Sequence, residues 1–410
     1  MKRRELIALA AVGIHISIGS VYAWSVLTKP IMKELGVGLK DVQWTFSLAI
    51  LFLGLSAAFL GKLVERRGPR VAGLVSAACF TVGMLGAGVA IAVKSLPLLY
   101  LFYGVIGGIG LGVGYITPVS TLVKWFPENR GFATGCAIMG FGFASLVAGP
   151  VMQGLLERVS LSTMFLCMGL VYCAIMVPSA RYLAPPRIAS AQALTEATCP
   201  LTGLTQVSAY NAVRTWQFYA LWFVLFINIT CGIGLLSVAS PMAQEVVGMS
   251  PMAAAAMVGV IGLVNGFGRL AWSSLSDFLG RANTYIAFFV IQPVAFYLLT
   301  ATTDEAAFKV LVFSIMSCYG GGFATIPAFL SDLFGTRELG VIHGRILTAW
   351  AAAGVVGPLL VAWVKEVTGN YIGTLLVFAM AMLAALGVAV LLRVKQPVRH
   401  AVAACASDKT

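Results

Sequence analysis

The sequence predicts an all-α integral membrane protein with twelve transmembrane helices arranged in two bundles of six. Hydrophobic residues make up 60% of its 410 residues, charged residues make up only 10%, and long apolar segments recur along nearly the whole chain. Soluble domains carry about 25% charged residues, and about 20 consecutive apolar residues suffice to cross the hydrocarbon core of a bilayer. These observations exclude a soluble globular protein.

The apolar segments are the predicted spans, numbered in chain order. They cover residues 5–28, 42–63, 70–93, 97–124, 131–156, 161–183, 215–240, 252–273, 283–301, 306–332, 338–365 and 371–393. Span 1 follows the basic sequence Met1-Lys-Arg-Arg4, as the apolar region of a signal peptide would, but it is too long and no small-residue cleavage site follows it. We therefore expect it to be a membrane helix of the protein.

The positive charges predict the orientation of the chain. The formal net charge is +12, and most of the 27 Lys and Arg residues lie in the loops on the side of the two termini. Because loops rich in Lys and Arg face the cytoplasm, we expect both termini in the cytoplasm of a multi-pass protein of the cell inner (plasma) membrane. The charge is spread over short loops, so we expect contact with the lipid bilayer and no binding of nucleic acid.

The longest polar interruption divides the chain. Residues 184–213 form a predicted cytoplasmic linker with six spans on each side. The predicted domains are an N-terminal six-helix bundle at 1–183 and a C-terminal six-helix bundle at 214–393, and a cytoplasmic tail follows at 394–410.

The two halves repeat one another. The stretch from Pro30 to Glu34 recurs as Pro241 to Glu245, and Glu65 to Gly68 recurs as Asp277 to Gly280, at a nearly constant offset. Because each half has an even number of spans, the repeats run parallel and are related by an axis along the membrane normal.

Several motifs carry a family resemblance. The loop Glu65-Arg66-Arg67-Gly68-Pro69-Arg70 after span 2, repeated around Asp277 after span 8, resembles the signature loop of the major facilitator superfamily. Four further stretches narrow the resemblance to the oxalate/formate antiporter family and, more distantly, to monocarboxylate transporters. They are Gly19-Ser-Val-Tyr22-Ala-Trp24-Ser25, Gly114-Tyr115-Ile-Thr-Pro118 with Lys124-Trp125-Phe126-Pro127-Glu-Asn-Arg130-Gly131, Asn265-Gly-Phe-Gly-Arg269, and Tyr319-Gly-Gly-Gly-Phe323-Ala-Thr-Ile-Pro327. The resemblance implies the major facilitator fold and transport by alternating access.

Arg269 is the residue that most directly predicts a substrate. It is the single basic residue deep inside an apolar segment, and no Asp or Glu lies in the core of any such segment. A cation in hydrocarbon costs roughly 3 to over 10 kcal/mol, and a guanidinium grips a carboxylate with two parallel hydrogen bonds. We predict that Arg269 binds the carboxylate of a small anion, with Asn265 on the same helix face. The alternative is a structural arginine satisfied by helix carbonyls.

Four aromatic residues are predicted to line the binding cavity. Tyr22, Tyr115, Tyr319 and Trp350 lie inside spans 1, 4, 10 and 11, which the family resemblance implies face the cavity. A phenol hydroxyl can donate to a carboxylate. The alternative is plain packing, and for Trp350 both interpretations remain open.

The family resemblance also bears on the charge of the substrate. Oxalate carriers of the family use a second basic residue on span 11, whereas Thr348 to Gly354 offers no cation here. One arginine neutralises one carboxylate, so we predict a monocarboxylate such as lactate, pyruvate or formate. An exchanger of the oxalate:formate type is the alternative, and an anion sensor without transport is a third hypothesis. A sensor is expected to carry a larger output domain than the predicted tail provides.

Charged residues at the cytoplasmic helix ends are predicted to gate the transporter by pairing in one state and separating in the other. The alternative is that they only fix topology. They are Glu65, Arg66, Arg70, Asp277 and Arg281.

The coupling ion stays open between a co-transported proton and a counter-transported anion. His15 lies mid-span and is a candidate proton relay, with packing as the alternative. In monocarboxylate transporters an Asp four residues before the arginine is tied to proton coupling, and this chain has Asn265 there.

No catalytic, metal or cofactor site is predicted. The eight cysteines include no CxxC pair, and the glycines of span 4 lie inside an apolar segment rather than in a nucleotide-binding loop. We therefore expect a monomeric transporter that is not an enzyme and whose partner is a small carboxylate.

Overall fold

The computed structural model describes residues 4–125, 130–185, 207–335 and 339–394, and the regular structure within these ranges is helical. The helices are Arg4–Ile18, the 3-10 helix Gly19–Ala23, Trp24–Leu35, Leu39–Phe59, Gly61–Ala92, Leu96–Leu99, the π-helix Tyr100–Gly107, Gly108–Trp125, Arg130–Leu156, Leu161–Tyr182, Ala209–Ala212, Trp216–Ser237, Ala239–Val246, Pro251–Leu279, Arg281–Leu299, Glu305–Phe334, Leu339–Ile346, Thr348–Thr368 and Ile372–Val394.

In the described residues these helices supply 12 segments that are long and apolar enough to cross a membrane. The predicted fold class is confirmed. Several spans are longer than their apolar cores, since span 1 continues to Leu35 and span 8 to Leu279. The extensions carry polar residues such as Lys33 and Asp277, whose side chains are at least partly exposed. Such residues can remain helical where a helix leaves the hydrocarbon and reaches the headgroups.

Four spans contain irregularities that the apolar pattern did not predict. Span 1 is a 3-10 helix over Gly19–Ala23, span 4 a π-helix over Tyr100–Gly107, and spans 7 and 11 are interrupted at Val238 and Leu347. Irregular backbone at membrane depth is tolerated where it is buried in protein. Residues 19 to 23 are all buried.

The connections define two faces of the molecule. The face opposite the first and last described helix ends, Arg4 and Val394, is called the distal face, and the other is the proximal face. The distal connections are residues 36–38, 93–95, 157–160, 247–250, 300–304 and 369–371.

Equivalent loops of the two sequence repeats carry glycines with the same backbone conformation. Gly68 and Gly280, in the repeated proximal loops, have φ of 79° and 84°, and Gly36 and Gly248, in the matching distal loops, have φ of 66° and 68°. A side chain is strained in this left-handed region. The repeat seen in the sequence is therefore also present in the backbone.

Spans from the two predicted bundles meet along two helix pairs. Span 5 packs along span 8, and span 2 packs along span 11. A Cβ added at Gly262 would lie 2.3 Å from the carbonyl oxygen of Gly142, and one at Gly54 would lie 2.8 Å from the Cβ of Ala351. The missing side chains allow these helices to touch through their backbones.

Part of the predicted linker contacts the C-terminal spans. Val207 N–H donates to the carbonyl of Phe334 at 2.9 Å, and Arg345 donates to the carbonyl of Ala209 at 2.7 Å. Residues 186–206 of the linker and 395–410 of the predicted tail lie outside the described residues. The domain boundaries stay a prediction.

Candidate functional site

Arg269 lies in the interior of the helical assembly. Its side chain is only 2% exposed, and its Nε donates to Asn265 Oδ1 at 3.2 Å. Arg269 Nη1 and Asn265 Nδ2 have no hydrogen-bond partner within the described part of the chain, and no described carboxylate forms an ion pair with the guanidinium. The predicted pairing of these residues on one helix face is present, and it leaves two donors free.

Two of the predicted tyrosines lie beside the guanidinium, and the third contacts one of them. The hydroxyls of Tyr22 and Tyr319 lie 3.3 Å apart, which joins span 1 to span 10. The Tyr115 hydroxyl lies beside Arg269 and interacts with it electrostatically, as does that of Tyr319. All three tyrosines are at most 5% exposed. The structure therefore brings the predicted tyrosines of spans 1, 4 and 10 into one buried cluster that includes Arg269.

Local backbone features bring these side chains together. Tyr22 belongs to the 3-10 segment of span 1. Gly320 directly follows Tyr319 in span 10, and a Cβ there would lie 2.3 Å from the carbonyl oxygen of Asn265. Only glycine lets span 10 approach span 8 this closely, which places the Tyr319 ring near Arg269.

Trp350 is fully buried at the edge of this cluster. Its ring centroid lies 5.3 Å from that of Tyr115 and 4.8 Å from that of Phe323, both in edge-on arrangements. Phe323 in turn lies under the cation, with Arg269 Cζ 5.3 Å from its centroid, which is within the range of a cation–π contact. The indole Nε1 has no hydrogen-bond partner among the described residues.

His15 lies one layer further out. Its Nε2 is 3.1 Å from the backbone carbonyl of Tyr115, and its ring stacks on that tyrosine at 5.7 Å. It also packs edge-on against Phe141 at 6.2 Å. These contacts place His15 behind Tyr115, and they leave its proposed role in proton transfer a prediction.

The predicted gating residues are only partly described. Arg281 pairs with Asp277 and, at 3.6 Å, with Asp332. All three belong to the predicted C-terminal bundle, so this cluster joins spans 8, 9 and 10 within one half. Arg70 is exposed. The side chains of Glu65 and Arg66 lie outside the described residues.

Sequence reasoning missed four residues that support the site. Phe141 packs edge-on against Tyr22 at 4.9 Å, and Phe323 lies under Arg269. Asn228 donates to the carbonyl of Tyr319 at 3.3 Å and accepts from Gln292 at 2.9 Å. The signal for Asn228 and Gln292 was a lone amide inside an apolar span, since a buried amide needs partners. The two phenylalanines gave no such signal.

The site has the chemical groups that favour an anion. It combines one guanidinium, free N–H donors and aromatic walls in a buried environment where charge interactions are strong. Among the described residues no group of three or more metal-ligating side chains occurs. The arrangement fits one carboxylate group with an apolar or small remainder.

Comparison with known proteins places this site in a family context. A sequence model described as Major Facilitator Superfamily matches residues 8–358. The oxalate:formate antiporter of Oxalobacter formigenes is 28% identical over 354 residues, which covers 86% of this chain and 82% of the antiporter. Apicoplast pyruvate carrier 1 of Toxoplasma gondii is 24% identical, with coverages of 82% and 71%. Monocarboxylate transporter 13 of Rattus norvegicus is 24% identical, with coverages of 86% and 79%.

A solved structure shares the fold. The bacterial homolog of the human lysosomal transporter Spinster, in an inward-facing and unoccupied conformation, superposes with a TM-score of 0.70 over 95% of each chain. The sequence identity is 15%, so the match concerns the architecture alone.

Proposed function

The chain belongs to the major facilitator superfamily of transporters, and on that premise we propose that it carries a small monocarboxylate across the membrane by alternating access. The observation that carries the proposal is the buried Arg269, which has no carboxylate partner among the described residues. A cation kept at such a cost without an internal counter-ion indicates that a mobile anion supplies the missing charge.

The free donors define how the carboxylate binds. One oxygen accepts from Arg269 Nη1, and Asn265 Nδ2 is free to donate to the same group. The Tyr115 hydroxyl lies beside the guanidinium and adds a third donor. Charge-assisted hydrogen bonds of this kind are roughly twice as strong as neutral ones.

The walls of the site favour a monoanion. Phe323 and Trp350 lie on the side of span 11, where the related oxalate carriers are expected to place a second cation. A dianion would bring a second carboxylate against these rings, where it loses water without gaining a cationic partner. The names of two relatives, a pyruvate carrier and a monocarboxylate transporter, agree with this substrate class.

Exchange of a dicarboxylate for a monocarboxylate is the second candidate. Its support is the 28% identity to an oxalate:formate antiporter. Arg269 supplies one positive charge among aromatic rings, so the second carboxylate of oxalate finds no cation there. Oxalate is therefore expected to bind less tightly than a monocarboxylate.

Uptake into proteoliposomes tests the proposal. Labelled formate, lactate, pyruvate and oxalate are offered with and without a pH gradient, and with and without unlabelled anion inside. We expect saturable uptake of a monocarboxylate that Arg269→Ala abolishes. Stimulation by an acid exterior would identify proton symport, and stimulation by internal anion would identify exchange. Oxalate uptake that saturates at lower concentration than that of every monocarboxylate would contradict the proposal.

The same proposal includes the placement of the protein. Residues 1–183 and 214–393 rock against each other around the site, in a monomer of the plasma membrane with both termini in the cytoplasm. The excess of basic residues on the proximal side supports this orientation.

A further inference from the structure

A cluster of opposite charges joins the two predicted bundles at the distal face. Glu245, near the end of span 7, uses both carboxylate oxygens. Its Oε1 lies 3.4 Å from Lys29 Nζ of span 1, and its Oε2 lies 2.7 Å from Lys365 Nζ of span 11. Lys29 belongs to the N-terminal bundle, and the other two residues belong to the C-terminal bundle. One carboxylate therefore holds a cation from each half.

Tyr371 fixes the C-terminal part of this cluster. The Lys365 ammonium lies 4.6 Å from the centre of its ring, a distance at which a cation–π contact forms. Burial, and then the neighbouring Glu245 carboxylate, raise the pKa of the Tyr371 phenol above its ordinary value, so it stays neutral. Lys365 is thus held beside Glu245 independently of Lys29.

A second contact crosses between the bundles next to the first. Glu366 Oε1 accepts a hydrogen bond of 2.7 Å from the backbone N–H of Lys40, in the first turn of span 2. A carboxylate at a helix N-terminus satisfies a free N–H and interacts favourably with the helix dipole. Span 11 therefore caps span 2 from the other half.

Further contacts continue this closure toward the binding site. Gln43, fully buried in span 2, donates to the carbonyl of Ser237 in span 7 at 3.1 Å. The paired hydroxyls of Tyr22 and Tyr319 lie beyond it, beside Arg269. From the distal surface to the site, the two halves are joined at each level.

We propose that Lys29, Glu245 and Lys365 form a distal latch, which keeps the distal mouth closed until Lys29 leaves Glu245. This inference rests on the alternating access of the proposed function. When the halves part, Lys365 and Tyr371 move with Glu245, so the carboxylate keeps a cation and only the Lys29 contact is lost. Lys29 and Glu245 are each more than a third exposed, and an ion pair of that exposure is weak. The latch is therefore suited to break and re-form in every transport cycle.

The internal repeat provides a matched control. Glu34 is the repeat equivalent of Glu245, and it lies 3.8 Å from Lys94 on the same distal face. Both residues belong to the N-terminal bundle. This pair has the same chemistry as the latch and is more exposed, at 67% and 47% for Lys94 and Glu34, but it does not cross between the halves.

The test measures opening of the distal mouth without any substrate. Ser25 is buried and lies on span 1 between Tyr22 and Lys29. In proteoliposomes with the distal face outward, a membrane-impermeant maleimide labels Ser25→Cys, and the labelling of protein without this substitution is subtracted. Lys29→Gln and Glu245→Gln should each raise the labelling rate about two- to fivefold, as expected for loss of an exposed ion pair. The double variant should show no further increase, because both changes remove one contact.

Three variants separate the latch from a general effect of charge. Lys29→Arg keeps the cation and should keep the wild-type rate. Glu34→Gln should not change the rate, and Lys365→Gln should not raise it, because the Lys29 contact remains. Unchanged labelling in Lys29→Gln and Glu245→Gln would overturn the proposal, and so would an equal increase in Glu34→Gln. Size-exclusion profiles confirm that each variant is folded.

The two proposals can fail separately. If the latch variants shift labelling but no monocarboxylate is transported, the latch stands and the proposed substrate is wrong. If uptake depends on Arg269 while the latch variants label as wild type does, the function stands and the latch is wrong.

Discussion

At the scale of single residues, the chemistry of the site depends on one buried cation and on hydrogen-bond donors beside it that have no partner among the described residues. Arg269 keeps Nη1 free because Asn265 Oδ1 occupies only Nε. Asn265 matters for a second reason, since it is neutral and leaves the charge of the guanidinium uncompensated. A carboxylate in its place would compete directly with the substrate.

Replacing Asn265 by Asp tests this competition. The tethered carboxylate should occupy the guanidinium and weaken monocarboxylate binding at neutral pH by about ten- to a hundredfold, which corresponds to one charged hydrogen bond. Acidification protonates the introduced carboxyl and frees Arg269, so uptake should recover as the pH falls. Asn265→Leu is the control, and its uptake should show no such recovery. Equal pH profiles of the Asp and Leu variants would contradict the argument.

We expect Trp350 to determine the selectivity between anions. Trp350→Lys places a second cation beside Phe323 and should improve oxalate binding relative to lactate by about tenfold, as expected for one new charge-assisted contact. Trp350→Phe keeps an aromatic wall without a charge and should retain the preference for monoanions. Competition for uptake of labelled lactate measures both. Oxalate that displaces lactate from the wild type at lower concentration than lactate itself would refute the charge-counting argument.

The sequence was informative about residues whose chemistry is unusual for their surroundings. Arg269 could be singled out because an arginine is unusual in an apolar span, and Asn265 could be paired with it because residues four apart share one face of a helix. Phe141 and Phe323 could not be predicted in the same way, because a phenylalanine is ordinary in a membrane helix. The contact between Tyr22 and Tyr319 joins positions 297 residues apart, and only the folded chain reveals it.

At the scale of helices, the interface between spans 5 and 8 decides how Arg269 is presented. A Cβ at Gly262 would lie 1.9 Å from Ser145 Oγ and 2.3 Å from the carbonyl oxygen of Gly142. Backbone atoms cannot move aside as a flexible side chain does, so the helices must separate to admit a methyl group. Span 8 carries the arginine, and any separation displaces the site.

Gly262→Ala should therefore reduce transport and destabilise the protein by about 1–3 kcal/mol, the range for overpacking in a close-packed interior. Gly154→Ala in span 5 is the control, because nothing lies within 4 Å of an added Cβ there. The control should be as stable as the wild type or more so, because alanine is the better helix former. Thermal unfolding in detergent measures both variants. Equal unfolding temperatures for Gly262→Ala and Gly154→Ala would show that the close approach of spans 5 and 8 does not contribute to stability.

The limits of prediction at this scale have a physical cause. Apolarity reports which residues lie in hydrocarbon, so it located all the spans but ended span 8 at 273, whereas the helix continues to Leu279. The 3-10 segment at Gly19–Ala23 is buried throughout and the π-helix at Tyr100–Gly107 is buried in part, and both are mostly apolar. A hydropathy pattern cannot distinguish them from regular α-helix.

At the scale of the whole molecule, the two predicted bundles are joined by different chemistry at different depths. Helix pairs with small residues meet along their length, aromatic hydroxyls meet at the site, and charged residues meet at the distal face. The sequence indicated the two halves through their repeat. It could not indicate the distal latch, because Lys29, Glu245 and Lys365 are ordinary charges at helix ends until the fold brings them together.

Cross-linking across the distal face tests the rocking motion. Cysteines at Lys29 and Glu245, joined by a short reversible bifunctional thiol reagent, tie one bundle to the other and should stop uptake, with recovery on reduction. Cysteines at Glu34 and Lys94 give the same cross-link within one bundle and should leave uptake intact. Full transport by protein cross-linked between positions 29 and 245 would exclude a two-bundle mechanism.

Binding of monocarboxylates to purified protein, measured by calorimetry for the wild type, Arg269→Lys and Arg269→Ala, tests the role of Arg269 most directly. We expect both variants to fold and neither to bind formate, lactate or pyruvate measurably. Lysine keeps the charge but loses the guanidinium, whose Nε holds Asn265 while its Nη1 stays free for the carboxylate. Arg393→Lys, at an exposed position on span 12, should bind as the wild type does. Wild-type affinity in Arg269→Lys would contradict the need for a guanidinium, and wild-type affinity in Arg269→Ala would show that the substrate binds elsewhere.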